Sequence, residues 1–211
     1  MVASVTTPAD VVNQALQRIG NPLRVGSLFD GSVPAKRALE VFGQTRDELL
    51  RGFGWGFAER NAALTLLKWA PQGGYVPPNL WTPASNPPLP WQFEYAYPAD
   101  CLRIRCLKTA PLFTLGNFDP MPNVFRIVND NAFSPAQRVI VTNVPNALAV
   151  YTAQVTDPTT WDAGFVEALI ASLARRLAPV LGNLDQGKAE AAKDEASDES
   201  AALSTAPIIQ G

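Results

Sequence analysis

The sequence predicts an α+β protein: helices from the N- and C-terminal ends form a small bundle, and a central antiparallel β-sheet or small sandwich lies between them. Three observations carry this expectation. Apolar residues recur at three- and four-residue spacing near both ends of the chain. Between them lie short β-rich runs, several alternating at period two, separated by turns rich in Pro, Gly, Asn and Asp. After Gly182 the text becomes polar and alanine-rich, which predicts an extended C-terminal tail. The expected divisions are an N-terminal helical pair over 1–54, a β-rich domain over 55–156 with a proline-rich loop at 70–90, a C-terminal helix over 157–183 packing on the helical pair, and an extended or conditionally ordered tail over 184–211.

The first helix is expected from Thr7 to Ile19. Thr7 is a candidate N-cap, Pro8 suits the first helical position, and Asp10 is placed to complete a capping box. Val11, Ala15, Leu16 and Ile19 form its stripe, and Gly20-Asn21-Pro22 stops it. Leu23 to Gly31 then reads as a loop with a short apolar tether at Val25, Leu28 and Phe29. A second helix opens at Ser32 or Val33 and runs to about Arg51, with Ala38, Leu39, Phe42, Leu49 and Leu50 on or near one stripe. Its opposite side carries Lys36, Arg37, Glu40, Gln44, Asp47 and Glu48, a face that reads as solvated, with contact between subunits as the alternative.

Glycines and aromatics interleave from Gly52 to Trp69, where the helix breaks and a β-prone run begins. The segment from Ala70 to Pro90 is too dense in proline and glycine for helix or central strand. It reads as a long projecting loop that orders against a neighbouring subunit or the tail through Tyr75, Leu80 and Trp81. Trp91, Phe93, Tyr95 and Tyr97 alternate with Gln92, Glu94 and Ala96, the pattern of a half-buried strand. Pro98-Ala99-Asp100 turns the chain, and further strands are expected at Leu102–Leu107, Val124–Val128, Arg138–Thr142 and Ala147–Val155. Thr159 or Thr160 is a candidate cap for a third helix from Trp161 towards Leu181. Phe165, Leu169, Leu173 and Leu177 form its stripe, and Pro179 should kink or end it.

Composition narrows the chemistry. The 211 residues are 47% hydrophobic and 17% charged, enough for a core and too apolar for general disorder. The 17 basic and 19 acidic side chains give a net charge of -2, without the basic excess of a stable nucleic-acid binder. No run approaches the roughly 20 apolar residues of a membrane span, and MVASVTTPAD lacks the basic flank and apolar block of a secretory signal, so the expected location is the cytosol or a particle. With 0 histidines and 2 cysteines, an imidazole base, a Cys-His pair or an ordinary zinc site has no reagents. Cys101 and Cys106 should lie on opposite faces of one strand, as unpaired small hydrophobes. No phosphate-binding glycine loop is present, and no cofactor is expected.

The remaining catalytic route is a carboxylate pair, as in a cell-wall hydrolase, with Glu40, Glu48, Glu59, Glu94 and Asp100 as candidates. A capsid-associated nucleic-acid-binding protein is a further alternative, using aromatics at Phe53–Phe57 and Trp91–Tyr97 as stacking platforms. Core aromatics and a subunit interface explain those rings without a basic groove. The tail has a different character. Between Asp185 and Glu199 six residues are acidic and two, Lys188 and Lys193, are basic, and an apolar tip follows at Pro207, Ile208 and Ile209. Such a segment needs a partner to hold it as a helix.

Three segments carry a resemblance. NQALQRIGNP followed by VPAKRALEVFGQTRDELLRG and GWGFAERNAAL, then WQFEYAYPADCLRI, then YTAQVTDPTTWDAGFVEALIASLARRLAPVLGN, resemble in order the head-to-tail adaptor proteins of tailed phages. That group includes the tail tubular protein A family and the tail accessory factors of short-tailed phages. Trp55, Phe57, Ala58 and Leu64 match the exit from the paired helices into the first β element. Tyr97, Pro98, Asp100, Cys101, Leu102 and Arg103 match the turn between strands, and Asp157, Pro158, Trp161 and Phe165 match the approach to the last helix. The resemblance implies a structural virion protein in a homo-oligomeric ring of about twelve copies. The ring would dock beneath the portal protein and bridge it to a tail tube or nozzle protein. It would be assembled in the host cytoplasm, and DNA would pass through its lumen during genome ejection without specific binding. The tail would reach the portal, which makes Lys188, Lys193, Leu203, Pro207, Ile208 and Ile209 the candidate portal contacts.

Overall fold

The computed structural model describes residues 7–70, 87–88, 90–109 and 124–182. The chain is α+β. Among the described residues it holds helices α1 (Pro8–Arg18), α2 (Val33–Gly52) and α3 (Ala163–Leu181), and strands β1 (Glu59–Ala63), β2 (Leu66–Trp69), β3 (Phe93–Ala96), β4 (Cys101–Thr109), β5 (Phe125–Asp130), β6 (Gln137–Thr142) and β7 (Ala147–Ala153). They fall into two compact units: residues up to Ala58 together with those from Gln154 onward, and Glu59–Ala153. No helix among the described residues is long and apolar enough to cross a membrane.

In the helical unit α3 packs on both α1 and α2. The capping box expected at Thr7 and Asp10 is formed, and Gly20 stops the first helix with φ +71°, a conformation that favours glycine. Ser32 caps α2. The stripe of α2 differs from the expectation, because Leu39 is exposed and Leu49 only half-buried, whereas Ala35 and Thr45 are buried. Thr45 is tolerated inside because its hydroxyl donates to the Val41 carbonyl 2.7 Å away. The third helix starts later than expected. Asp157 caps a 3-10 turn over Pro158–Thr160, and Asp162 then caps α3 through the Gly164 amide. A carboxylate one residue before the first helical position displaces the threonines, which the turn has already used. Pro179 lies in the last turn, and a Cβ at Gly182 would stand 2.7 Å from the Ala178 carbonyl oxygen, so the exit path needs glycine.

Phe165 is the centre of this unit. Trp55, Phe57 and Trp161 meet its ring edge-on at centroid distances of 5.3, 5.2 and 5.3 Å. The indoles are satisfied, since Trp55 donates to the Leu49 carbonyl and Trp161 to the Val155 carbonyl. Of the interleaved aromatics after α2, Trp55 and Phe57 therefore pack half-buried on the core, whereas Phe53 and Trp69 are exposed.

The β unit contains a three-stranded antiparallel sheet, β1-β7-β4, and a four-stranded antiparallel sheet, β2-β3-β6-β5. Tyr95 and Ile140 from the second sheet meet Cys101, Ile104, Leu107, Ala149 and Tyr151 from the first in one core cluster, as in a small sandwich. The Tyr95 hydroxyl donates to the Val144 carbonyl and accepts from the Ala147 amide, pinning the β6–β7 turn. Register breaks between Cys101 and Arg103 and between Ile104 and Cys106 shift β4 from period two. Cys101, Ile104 and Leu107 consequently all face the core, while Cys106 is only half-buried; both thiols are free. The expected alternation of β3 fails at Glu94, which is fully buried.

Candidate functional site

Residues 20–32 form a loop whose middle is fixed mainly by side chains, with backbone bonds at Gly20, Asn21 and Asp30. The Asn13 amide, on α1, donates to the Val25 carbonyl at 2.9 Å and accepts from the Val25 amide at 2.8 Å. Val25 itself is buried, so this residue is the tether the sequence predicted. Asp30 closes the other half, accepting from the Gly26, Ser27 and Ser32 amides at 2.9, 3.4 and 2.9 Å. Hydrogen bonds from Ser32 above all, then from Gly26 and Ser27, hold its carboxyl down at about 2. Asn21 donates to the Leu181 carbonyl, which joins the start of the loop to the end of α3.

The loop presents apolar side chains outward. Phe29 is 81% exposed and Leu23 56%, and Val33, the first residue of α2, is 65% exposed. The expectation that Phe29 tethers the loop to the core is thus corrected: Asp30 and its glycine neighbour, Gly31 at φ +78°, turn the backbone so that the ring points to solvent. A large ring displayed on a pre-organised backbone is suited to docking, because little conformational entropy remains to be lost there on contact.

The charged face of α2 is partly tied within its own unit. Glu48 accepts from Gln44 and pairs with Arg176 of α3, Asp47 accepts from Gln154, and Glu40 pairs with Arg37.

In the β unit, three charged side chains lie inside the four-stranded sheet. Lys68 on β2, Glu94 on β3 and Asp130 at the end of β5 are 6%, 1% and 11% exposed. The Lys68 ammonium pairs with Asp130, stands 3.5 Å from Glu94 Oε1 and lies 5.4 Å from the centroid of the Phe133 ring. Burial, reinforced by hydrogen bonding to Asp130, pushes the Glu94 carboxyl up to about 7 against the pull of Lys68. For Asp130 burial acts upward but is outweighed by hydrogen bonds from Lys68, the Ala132 amide and Glu94, which hold its carboxyl below the usual range. Nothing in the period-two pattern signals this cluster; the one available clue is a lysine inside an otherwise apolar LLKW run.

A cavity of about 390 Å³ opens beside the expected Tyr97-Pro98-Asp100 turn, lined by Tyr97, Pro98, Cys101, Gln137 and Arg138 among others. The Arg138 guanidinium sits over the Tyr97 ring at 4.6 Å. Burial pushes the Cys101 thiol up, which opposes the thiolate that nucleophilic chemistry needs. Asp100 accepts from the Tyr151 hydroxyl at 3.0 Å and lies 3.6 Å from Arg60, so it anchors the turn to the first sheet.

The five carboxylates considered for catalysis are divided between the two units. Glu40 and Glu48 belong to the helical unit, and in the β unit Glu59 is exposed, Glu94 is buried with Lys68, and Asp100 is bound to Tyr151. Tyr75, Leu80 and Trp81, and Lys188, Lys193, Leu203, Pro207, Ile208 and Ile209, lie outside the described residues. No family model matches the chain, and no curated protein matches it.

Proposed function

We propose that this chain is a structural virion protein, one subunit of a head-to-tail adaptor ring of about twelve copies that joins the portal to the tail. The observation that carries the reading is the Phe29 loop: an apolar ring held out on a backbone that Asn13 and Asp30 fix in advance. That is a device for docking, and its occupant in this reading is the next copy of the same chain. The three resembling segments support it by their positions, falling on α1 and α2, on the β3–β4 turn, and on β7 with α3. In a closed ring each weak contact is repeated, and the effective concentration of neighbouring copies multiplies its strength.

The tail from Gln186 supplies the portal contacts in this reading, through Lys188 and Lys193 and the apolar tip at Pro207–Ile209. The near-neutral charge of the whole chain, -2, suits a lumen that lets DNA pass without holding it. The test is to mix the full chain with the portal assembly of the same phage and image the product. A ring-shaped complex on the portal is expected, and deletion of Gln186–Gly211 should abolish docking while leaving thermal unfolding unchanged. A chain that stays monomeric and never binds portal overturns the reading.

A further inference from the structure

We propose that Lys68, Glu94 and Asp130 form a proton-linked latch that ties the two edge strands of the four-stranded sheet together and loosens when the Glu94 carboxyl ionises. In the order β2-β3-β6-β5, Lys68 belongs to one edge strand and Asp130 to the other, so their ion pair spans the sheet rather than joining neighbours. Glu94 lies beneath that bridge on β3, opposite Lys68 in the β2–β3 register. Its other pairing partner is Val141 on β6, which is apolar and fully buried. Arg126, opposite Val141 on β5, is exposed, and Arg138 faces the other way, over Tyr97. Lys68 and Asp130 are therefore the charges that face Glu94 among the described residues.

The charge balance decides how the cluster works. One ammonium and one carboxylate neutralise each other, and a protonated Glu94 can donate a hydrogen bond to Asp130 without adding charge. An ionised Glu94 leaves two buried carboxylates against one ammonium, and the excess charge has no described partner. The folded carboxyl titrates at about 7 and an ordinary glutamate at 4.5. A group raised in the folded state contributes its stability in full below 4.5 and loses it as pH rises through about 7. The latch is thus closed in mild acid and weakened above neutrality, and the strands it releases, β2 and β5, stand at the two ends of the sheet's strand order among the described residues.

Amide hydrogen exchange of the full chain, corrected for the intrinsic pH dependence of exchange, reads this opening directly. Between about pH 5.5 and about pH 8, protection of Leu66–Trp69 and Phe125–Asp130 should fall by a factor of roughly 10 to 30, and Glu94→Gln should remove that dependence. Carboxyl-carbon NMR of the unmodified chain gives a measurement that needs no variant: one glutamate should titrate with a midpoint near 7. Absence of such a titration, unchanged protection in the unmodified chain, or a Glu94→Gln protein with the original pH dependence would each overturn the latch.

Discussion

In the helical unit, Thr7, Asn13, Asp30 and Asp162 direct their polar atoms at backbone groups of helix ends and the α1–α2 loop, and the interior around Phe165 is aromatic. In the β unit, Lys68, Glu94 and Asp130 carry polarity into the sheet itself. The first arrangement keeps acids where amides stabilise their charged form; Asp30 and Asp157 are accordingly shifted down. The second places an acid where burial disfavours charge, and Glu94 is shifted up. Asp30 and Glu94 should therefore respond oppositely to pH, while Asp130, held down by its hydrogen bonds, follows Asp30. Asp30 contributes stability above its ordinary 3.8 and loses it as pH falls towards about 2, whereas Glu94 contributes in mild acid and loses it as pH rises through about 7.

Variants can break this contrast from either side. The largest effect is expected at Phe165→Ala, which removes the ring that three other aromatics contact and should cost about 3–5 kcal/mol in chemical denaturation. Lys68→Met leaves buried carboxylates without their cation, and near pH 8 a loss of about 3 kcal/mol is expected, shrinking in mild acid as Glu94 takes up its proton. Asn13→Ala removes both hydrogen bonds to Val25 and should cost about 1–3 kcal/mol, with a loss of order in the Phe29 loop visible by NMR. Asp162→Ala removes the cap of α3, for which about 1 kcal/mol is expected, measurable as a small drop in Tm. If Lys68→Met showed no pH dependence, the distinction between the two units would fail at its centre.

Much of the helical unit was legible in the sequence, because caps and stops are local: Thr7, Pro8, Asp10, Gly20 and Ser32 all act within a few residues of where they stand. The shift from Thr159 or Thr160 to Asp162 is the same chemistry applied twice in succession, first at Asp157 and then at α3. The β unit was legible in its strands but not in its faces. Alternation placed Glu94 towards solvent, yet both faces of β3 are covered, and two breaks in β4 replaced period two by a three-residue spacing of core positions. The exposure of Phe29 was hidden for a similar reason. Its direction depends on a clamp between Asp30 and three amides, which hydrophobicity alone does not report.

In the proposed adaptor ring, the exposed Phe29 loop makes the contact between neighbouring copies. Electron microscopy of portal mixed with the unmodified chain or with Phe29→Ser tests it most directly. Closed rings on the portal are expected for the former and none for the latter, with both proteins unfolding at similar temperatures because the Phe29 ring is 81% exposed. Rings formed equally well by Phe29→Ser, or by neither protein, would contradict it.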